Sequence, residues 1–141
     1  IQKGLDKSGK TLMDFDIAPF VTVVIGDDVD HCRMPIKGSM ALYIGGMGAR
    51  ENNFYNDYAK ALGYEEAAVK IQDLFLAGKK DEAMAAVPDE LVDACHLVGP
   101  AGRIKERLQV WKEAGDSGKI SSMLLGAGQI EALELVAGEL L

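Results

Sequence analysis

An excess of basic charge, paired cysteines and long apolar runs are all missing from these 141 residues, and each absence removes a class of protein. Lys and Arg number 15 against 22 Asp and Glu, giving a formal net charge of −7. The basic residues stand singly or in pairs among carboxylates. A nucleic-acid-binding protein gathers cations on one face to neutralise phosphates, so no nucleic-acid partner is expected. No apolar run approaches the ~20 residues that cross a bilayer, so no membrane partner is expected either. The only cysteines, Cys32 and Cys95, are far apart and lack CxxC spacing. Two reduced, small buried hydrophobes in a cytoplasmic protein fit that count better than a disulfide framework. An initiator Met is also missing: the first residue is Ile1, from which an upstream segment is expected.

What is present is enough for one core. Hydrophobic residues make up 48% of the chain, and the length suits one domain. Residues 1–14 are polar, carry Gly4 and Gly9, and read as a loop or frayed helix end. Phe20 to Ile25 is apolar and largely β-branched without alternation, the pattern of a strand buried on both faces. Pro19 suits the start of that strand. Asp27 or Asp28 can cap a helix running to about Tyr43, which Pro35 should kink or split. Asn52 or Asn53 can cap the next segment, to about Leu62. Tyr64 to Leu76 places Ala67, Ala68, Ile71, Leu74 and Phe75 on one helical face. A short helix from Lys79 to Val87 follows, then one begun by Pro88 and ending near His96 or Val98. Val98 to Gly102 reads as a turn. A helix carrying Ile104, Leu108, Trp111 and Ala114 ends at Gly115, Ile120 to Leu125 reads as a second strand, and Gly126-Ala127-Gly128 opens a last helix.

Two strands make no stable sheet, and buried parallel strands need neighbours. The missing strands are therefore expected from a removed N-terminal part or from another chain.

Two segments could hold an anion. Gly45, Gly46 and Gly48 could cradle a phosphate through backbone N–H groups, with Arg50 adding charge. They lack the Gly-Lys-Ser/Thr ending of a Walker loop, and a helix stop with a tight reversal is the favoured reading. Gly99 to Arg103 lies at a helix N-terminus, where free N–H groups and the dipole favour anions, although capping turns of this kind are common. The pairs His31-Cys32 and Cys95-His96 do not read as a metal site, because adjacent side chains on a helix diverge. Phe54, Tyr55 and Tyr58 read as core, and Asp27-Asp28 and Glu65-Glu66 as helix-start carboxylates.

The stretch from Ala41 to Asn56, with Gly45-Gly46-Met47-Gly48-Ala49-Arg50-Glu51-Asn52-Asn53-Phe54-Tyr55 at its centre, resembles luciferase-like flavin or deazaflavin oxidoreductases. It is most similar to the branch that uses coenzyme F420. Gly63 to Ala68, Ile71 to Leu74, Val87 to Asp93 and Leu97 to Leu108 agree in the same order. The resemblance implies an α/β fold, the helix-rich C-terminal part of a (β/α)8 TIM barrel. Phe20–Ile25 would be its seventh strand, Ile120–Leu125 its eighth, and the helices between them an insertion. It also implies hydride transfer between coenzyme F420 and a small organic substrate. FMN is the alternative cofactor, with monooxygenase chemistry in other branches. Weak cofactor contacts would fall at Gly45, Gly46, Gly48, Arg50, Gly99 and Arg103. No catalytic residue follows from it. Earlier strands would build most of the cofactor pocket, so the chain alone is not expected to be active. A homo-oligomer is expected. The alternative is a non-catalytic helical module that associates through an apolar face.

Overall fold

The computed structural model describes residues 1–141, and the strand expected at Phe20–Ile25 stands at its centre as β1. Parallel partners lie on both sides of it. β2 (Leu97–Gly99) pairs Val23, Val24 and Ile25, and β3 (Leu124–Gly126) pairs Phe20, Val21 and Thr22, giving the order β2-β1-β3. Three expectations change here. Leu97–Gly99 is a strand and not a helix end and turn; three residues are too few to show a period. β3 begins later than Ile120, because the N–H groups of Ser121 and Ser122 turn back to the carbonyl of Ile17. And β1 takes both neighbours from within the chain, not from elsewhere.

Short strands leave part of β1 unpaired, and two side chains complete the ladder. Nδ1 of His96 accepts the Thr22 N–H at 3.1 Å. On the opposite edge the Gln129 amide meets both backbone groups of Ile25. Its Oε1 accepts the N–H at 2.8 Å, and its Nε2 donates to the carbonyl at 2.9 Å. None of these three backbone groups is left unpaired.

Residues 1–14 are more ordered than expected. A helix α1 spans Gln2–Ser8, buries Leu5 and ends at Gly9, whose φ of 66° is left-handed. A 3-10 turn follows at Leu12–Asp14. Next, α2 (Val29–Gly46) is capped by Asp28, whose carboxylate accepts the His31 N–H at 3.1 Å. It passes Pro35 without dividing and outlasts the expected end at Tyr43. The carbonyl that Pro35 deprives of its helical donor belongs to His31, an exposed residue.

The helices α3 (Phe54–Ala61), α4 (Glu65–Leu76), α5 (Lys80–Ala85) and α6 (Asp89–Cys95) pack against α2 or against one another. Two buried asparagines join three of them. Asn53 caps α3 and donates to the Ile44 carbonyl at 3.0 Å. Asn56 donates to Ile44 at 3.1 Å and to Ala68 at 2.8 Å. α7 (Ala101–Asp116) and α8 (Ile130–Leu140) complete the chain.

Side chains alternate across a strand, so neighbours in sequence mark opposite faces. Val21, Val23 and Leu97 pack with Ile104 and Leu108 of α7 and Ala132 and Val136 of α8. Val24 and Val98 instead meet the α2 cluster, which contains Cys32, Ile36, Ile71, Leu91 and Val92. Helices therefore lie on both faces of a small parallel sheet. The strand order explains this: the chain steps one way from β1 to β2, then back past β1 to β3. Crossovers of one hand must then fall on opposite sides. On the α2 face the β1–β3 half is uncovered, leaving Phe20 63% and Leu124 53% exposed.

Candidate functional site

Parallel strands deliver their C-terminal ends to one edge, where loops can converge on a ligand. Here those ends are followed or closed by Gly26, Gly99 and Gly126, and α2, α7 and α8 all start nearby. The three helix starts differ in charge. α2 is closed by the Asp28 carboxylate and has Asp30 in its first turn, while α8 has Glu131 in its own. α7 has neither a side-chain cap nor an acidic residue in its first turn. The N–H groups of Ala101, Gly102 and Arg103 have no acceptor within the chain. Open space surrounds Gly102. Of the three helix starts, this one suits an anion best.

Gly99 makes the turn possible. Its φ of 108° is costly for any residue with a side chain, and a Cβ would sit 3.0 Å from Val29 Cγ2 and 3.2 Å from Arg103 Cδ. Arg103 folds back across it, donating to the Val98 carbonyl and to Asp93 at 2.9 Å. Asp93 also takes Arg33 at 2.7 Å, and Arg107 donates to its backbone carbonyl. Burial pushes the Asp93 carboxyl upward, but the Arg33 hydrogen bond and the charges of Arg103, Arg33 and Arg107 outweigh it. Its pKa ends below the ordinary carboxylate value. The guanidinium of Arg103 is thus engaged in holding α2, α6 and α7 together, and its backbone N–H is what faces the edge.

The two glycine segments singled out from sequence do not meet. Val29, against Gly99, begins α2, and Gly45 and Gly46 end it. At ~1.5 Å rise per residue they are about 25 Å apart. Cβ atoms on Gly45 and Gly46 would fall 2.5 Å and 2.4 Å from atoms of Phe75, so their bareness lets α4 approach α2. A Cβ on Gly48 would come 2.3 Å from the Asn52 carbonyl oxygen, and Arg50 pairs with Asp73.

Phe54, Tyr55 and Tyr58 are not core, contrary to expectation. α3 turns Asn56 and Ala59 inward, and Phe54 and Tyr58 are 73% and 54% exposed. Their rings lie parallel at 6.2 Å, and Tyr55 meets Tyr43 edge-on at 4.7 Å. Of the two His-Cys pairs, Cys32 is buried beside Gly26 and His96 is committed to Thr22. No three His, Cys, Asp or Glu side chains gather as a metal site would require.

Asp93, His96 and Gln129 are the residues whose roles were not foreseen. A signal for the first existed in charge spacing. Arg33 and Lys37 stand one turn apart on α2, as do Asp89 and Asp93 on α6, and Arg33 meets Asp93 while Lys37 meets Asp89 at 2.5 Å.

Comparison with known proteins gives this geometry a family. Residues 1–118 match the family described as luciferase-like monooxygenase. The chain belongs to the luciferase-like monooxygenase family. It is 39% identical over 124 residues to a Mycobacterium tuberculosis protein provisionally named a coenzyme F420-dependent oxidoreductase, covering 88% of this chain and 35% of that one. In structure it is similar to the coenzyme F420-dependent tetrahydromethanopterin reductase from Methanopyrus kandleri. There the TM-score is 0.63 and the identity 19%, over 97% of this chain and 38% of the reductase. The chain thus spans little more than a third of either relative's length. No helix is long and apolar enough to cross a membrane.

Proposed function

We propose that residues 1–141 form a single partial domain, the C-terminal portion of a coenzyme F420-dependent luciferase-like oxidoreductase. The parent would work in the cytoplasm, and its deazaflavin would carry hydride to or from a small organic substrate. The observation that carries the reading is the β2–α7 turn. Three free N–H groups at the carboxyl edge of a parallel sheet, without a competing carboxylate in that turn, fit the anionic tail of such a coenzyme. Gly99 permits the close approach, and Arg103 anchors the turn from behind through Asp93. The 39% identity to an F420-named relative favours deazaflavin over FMN. Gly45, Gly46, Gly48 and Arg50 lie at or beyond the far end of α2, too distant to share that contact; we assign Gly45 and Gly46 to the packing of α2 on α4, Gly48 to the tight reversal against Asn52, and Arg50 to its pair with Asp73.

The isolated chain offers one wall of such a site and half an uncovered sheet face. It is therefore expected to bind the coenzyme weakly and to turn nothing over. Titrating it with coenzyme F420, followed by the coenzyme's own absorbance and fluorescence, tests both halves. The chain alone should show no saturable binding at micromolar concentration. A longer protein with the upstream strands restored should bind, and Gly102→Glu should weaken that binding at least tenfold. Tight binding by residues 1–141 alone, or indifference of the longer protein to Gly102→Glu, would overturn the assignment.

A second reading is favoured by the exposed Phe20 and Leu124. Paired with the free edge of β3, they form an apolar surface on which the isolated chain would self-associate without catalysis. Sedimentation would show a homo-oligomer if this surface governs behaviour, and a concentration-independent monomer if it does not.

A further inference from the structure

At the opposite end of the molecule from the candidate edge, the C-terminal halves of α7 and α8 flank the loop that leads into β3. Between them lies a cavity of about 410 Å³, within the ~300–1,000 Å³ typical of small-molecule sites. Its walls include Trp111, Ile120, Met123, Leu125, Val136 and Leu140. Nothing in the coenzyme reading uses it.

We infer that this cavity binds a small uncharged apolar molecule. The polar groups around it argue for that class. Lys112 and Asp116 line it with opposite charges, so its side chains offer neither a cation nor an anion a net partner. The two hydroxyls that line it each hold a partner within the chain: Ser121 accepts the Ile17 N–H at 3.3 Å, and Ser122 donates to Asp16 at 2.8 Å. A charged head group would therefore lose its hydration without an equal replacement. An aliphatic or aromatic body removes apolar wall from water, and that burial is the source of affinity.

Trp111 is the only tryptophan in the chain, so its emission reports on this cavity alone. The probes are 1-octanol, octanoate and octylammonium, added to the intact 141-residue chain at several protein concentrations. Octanol should shift Trp111 emission saturably to shorter wavelength, and the two ions should bind at least fivefold more weakly. Gly115 lines the cavity, and an added Cβ there meets nothing within 4 Å, so Gly115→Leu places an apolar side chain at the cavity wall. It should weaken the octanol response at least tenfold while leaving far-ultraviolet circular dichroism unchanged. Ala137→Leu fills it from α8 and should do the same, which keeps the test decisive if either variant folds poorly. The inference fails if the octanol response is linear or unaffected by both filling variants. It also fails if either ion binds more tightly than octanol, or if the shift depends on protein concentration, which would mean that another copy fills the space.

Discussion

Replacing Gln129 by alanine should destabilise the chain far more than its surface position suggests. The side-chain amide of Gln129 takes the place of a β3 that stops short of Ile25, satisfying both the N–H and the carbonyl of that residue at 2.8 and 2.9 Å. Removing it strands one donor and one acceptor on the central strand, next to Val23 and Leu125. A buried group left unpaired costs about 1–3 kcal/mol, and partial access of water to this edge offsets some of that. The expected loss for Gln129→Ala is therefore about 2 kcal/mol. With a urea dependence of roughly 1–3 kcal/mol per molar for small proteins, the unfolding midpoint should fall by about 1 M. Gln129→Glu sharpens the test. Its carboxylate still accepts the Ile25 N–H but faces the carbonyl with no proton to donate. Folding thus raises the glutamate pKa. Relative to the parent chain, the variant should be least destabilised below about pH 4 and lose stability as pH rises through its folded pKa. An alanine variant within about 0.5 kcal/mol of the parent, or a glutamate variant with no pH dependence of the difference, would refute the ladder argument.

Two further outcomes follow from the same geometry. Burial holds the His96 pKa below its usual value, and its Nδ1 must stay unprotonated to accept the Thr22 N–H. The folded state then binds fewer protons than the unfolded one, so this stability is complete above about pH 6.5 and is lost as pH falls through the folded pKa. His96→Asn, which keeps an acceptor near that position, should flatten the fall in urea midpoint between pH 7.5 and 5.5; equal slopes would count against the bond. Gly46→Ala should cost about 1–3 kcal/mol by driving a methyl into the Phe75 ring, with recovery in Phe75→Leu. Thermal melts of the single and double variants check this, and loss without recovery would point to a role other than packing.

Much of the local structure was legible in sequence because its causes are local. The β-branched run at Phe20–Ile25, the asparagine cap of α3 and the apolar stripe of α4 each follow from period or side-chain chemistry within a few residues. Family membership was legible too, since a string such as Gly45-Gly46-Met47-Gly48-Ala49-Arg50 is a property of order alone. The site was legible only in part. Gly99 and Arg103 stood out at a helix start, but nothing in the residue order says that Arg103 turns away to Asp93 and leaves its backbone N–H at the edge.

What tertiary structure alone decided has one physical origin: partners far apart in the chain. β2 is too short to announce itself and exists because it pairs with the edge of β1, which buries Leu97 and Val98 on opposite faces of the sheet. Phe54 and Tyr58 look like core residues, yet remain in water because Asn56 wins the inward face by satisfying two buried carbonyls. His96 and Gln129 act as pieces of strand through contacts 74 and 104 residues away. Residue order sets which groups must be buried or paired; only the assembled fold sets which distant group meets them.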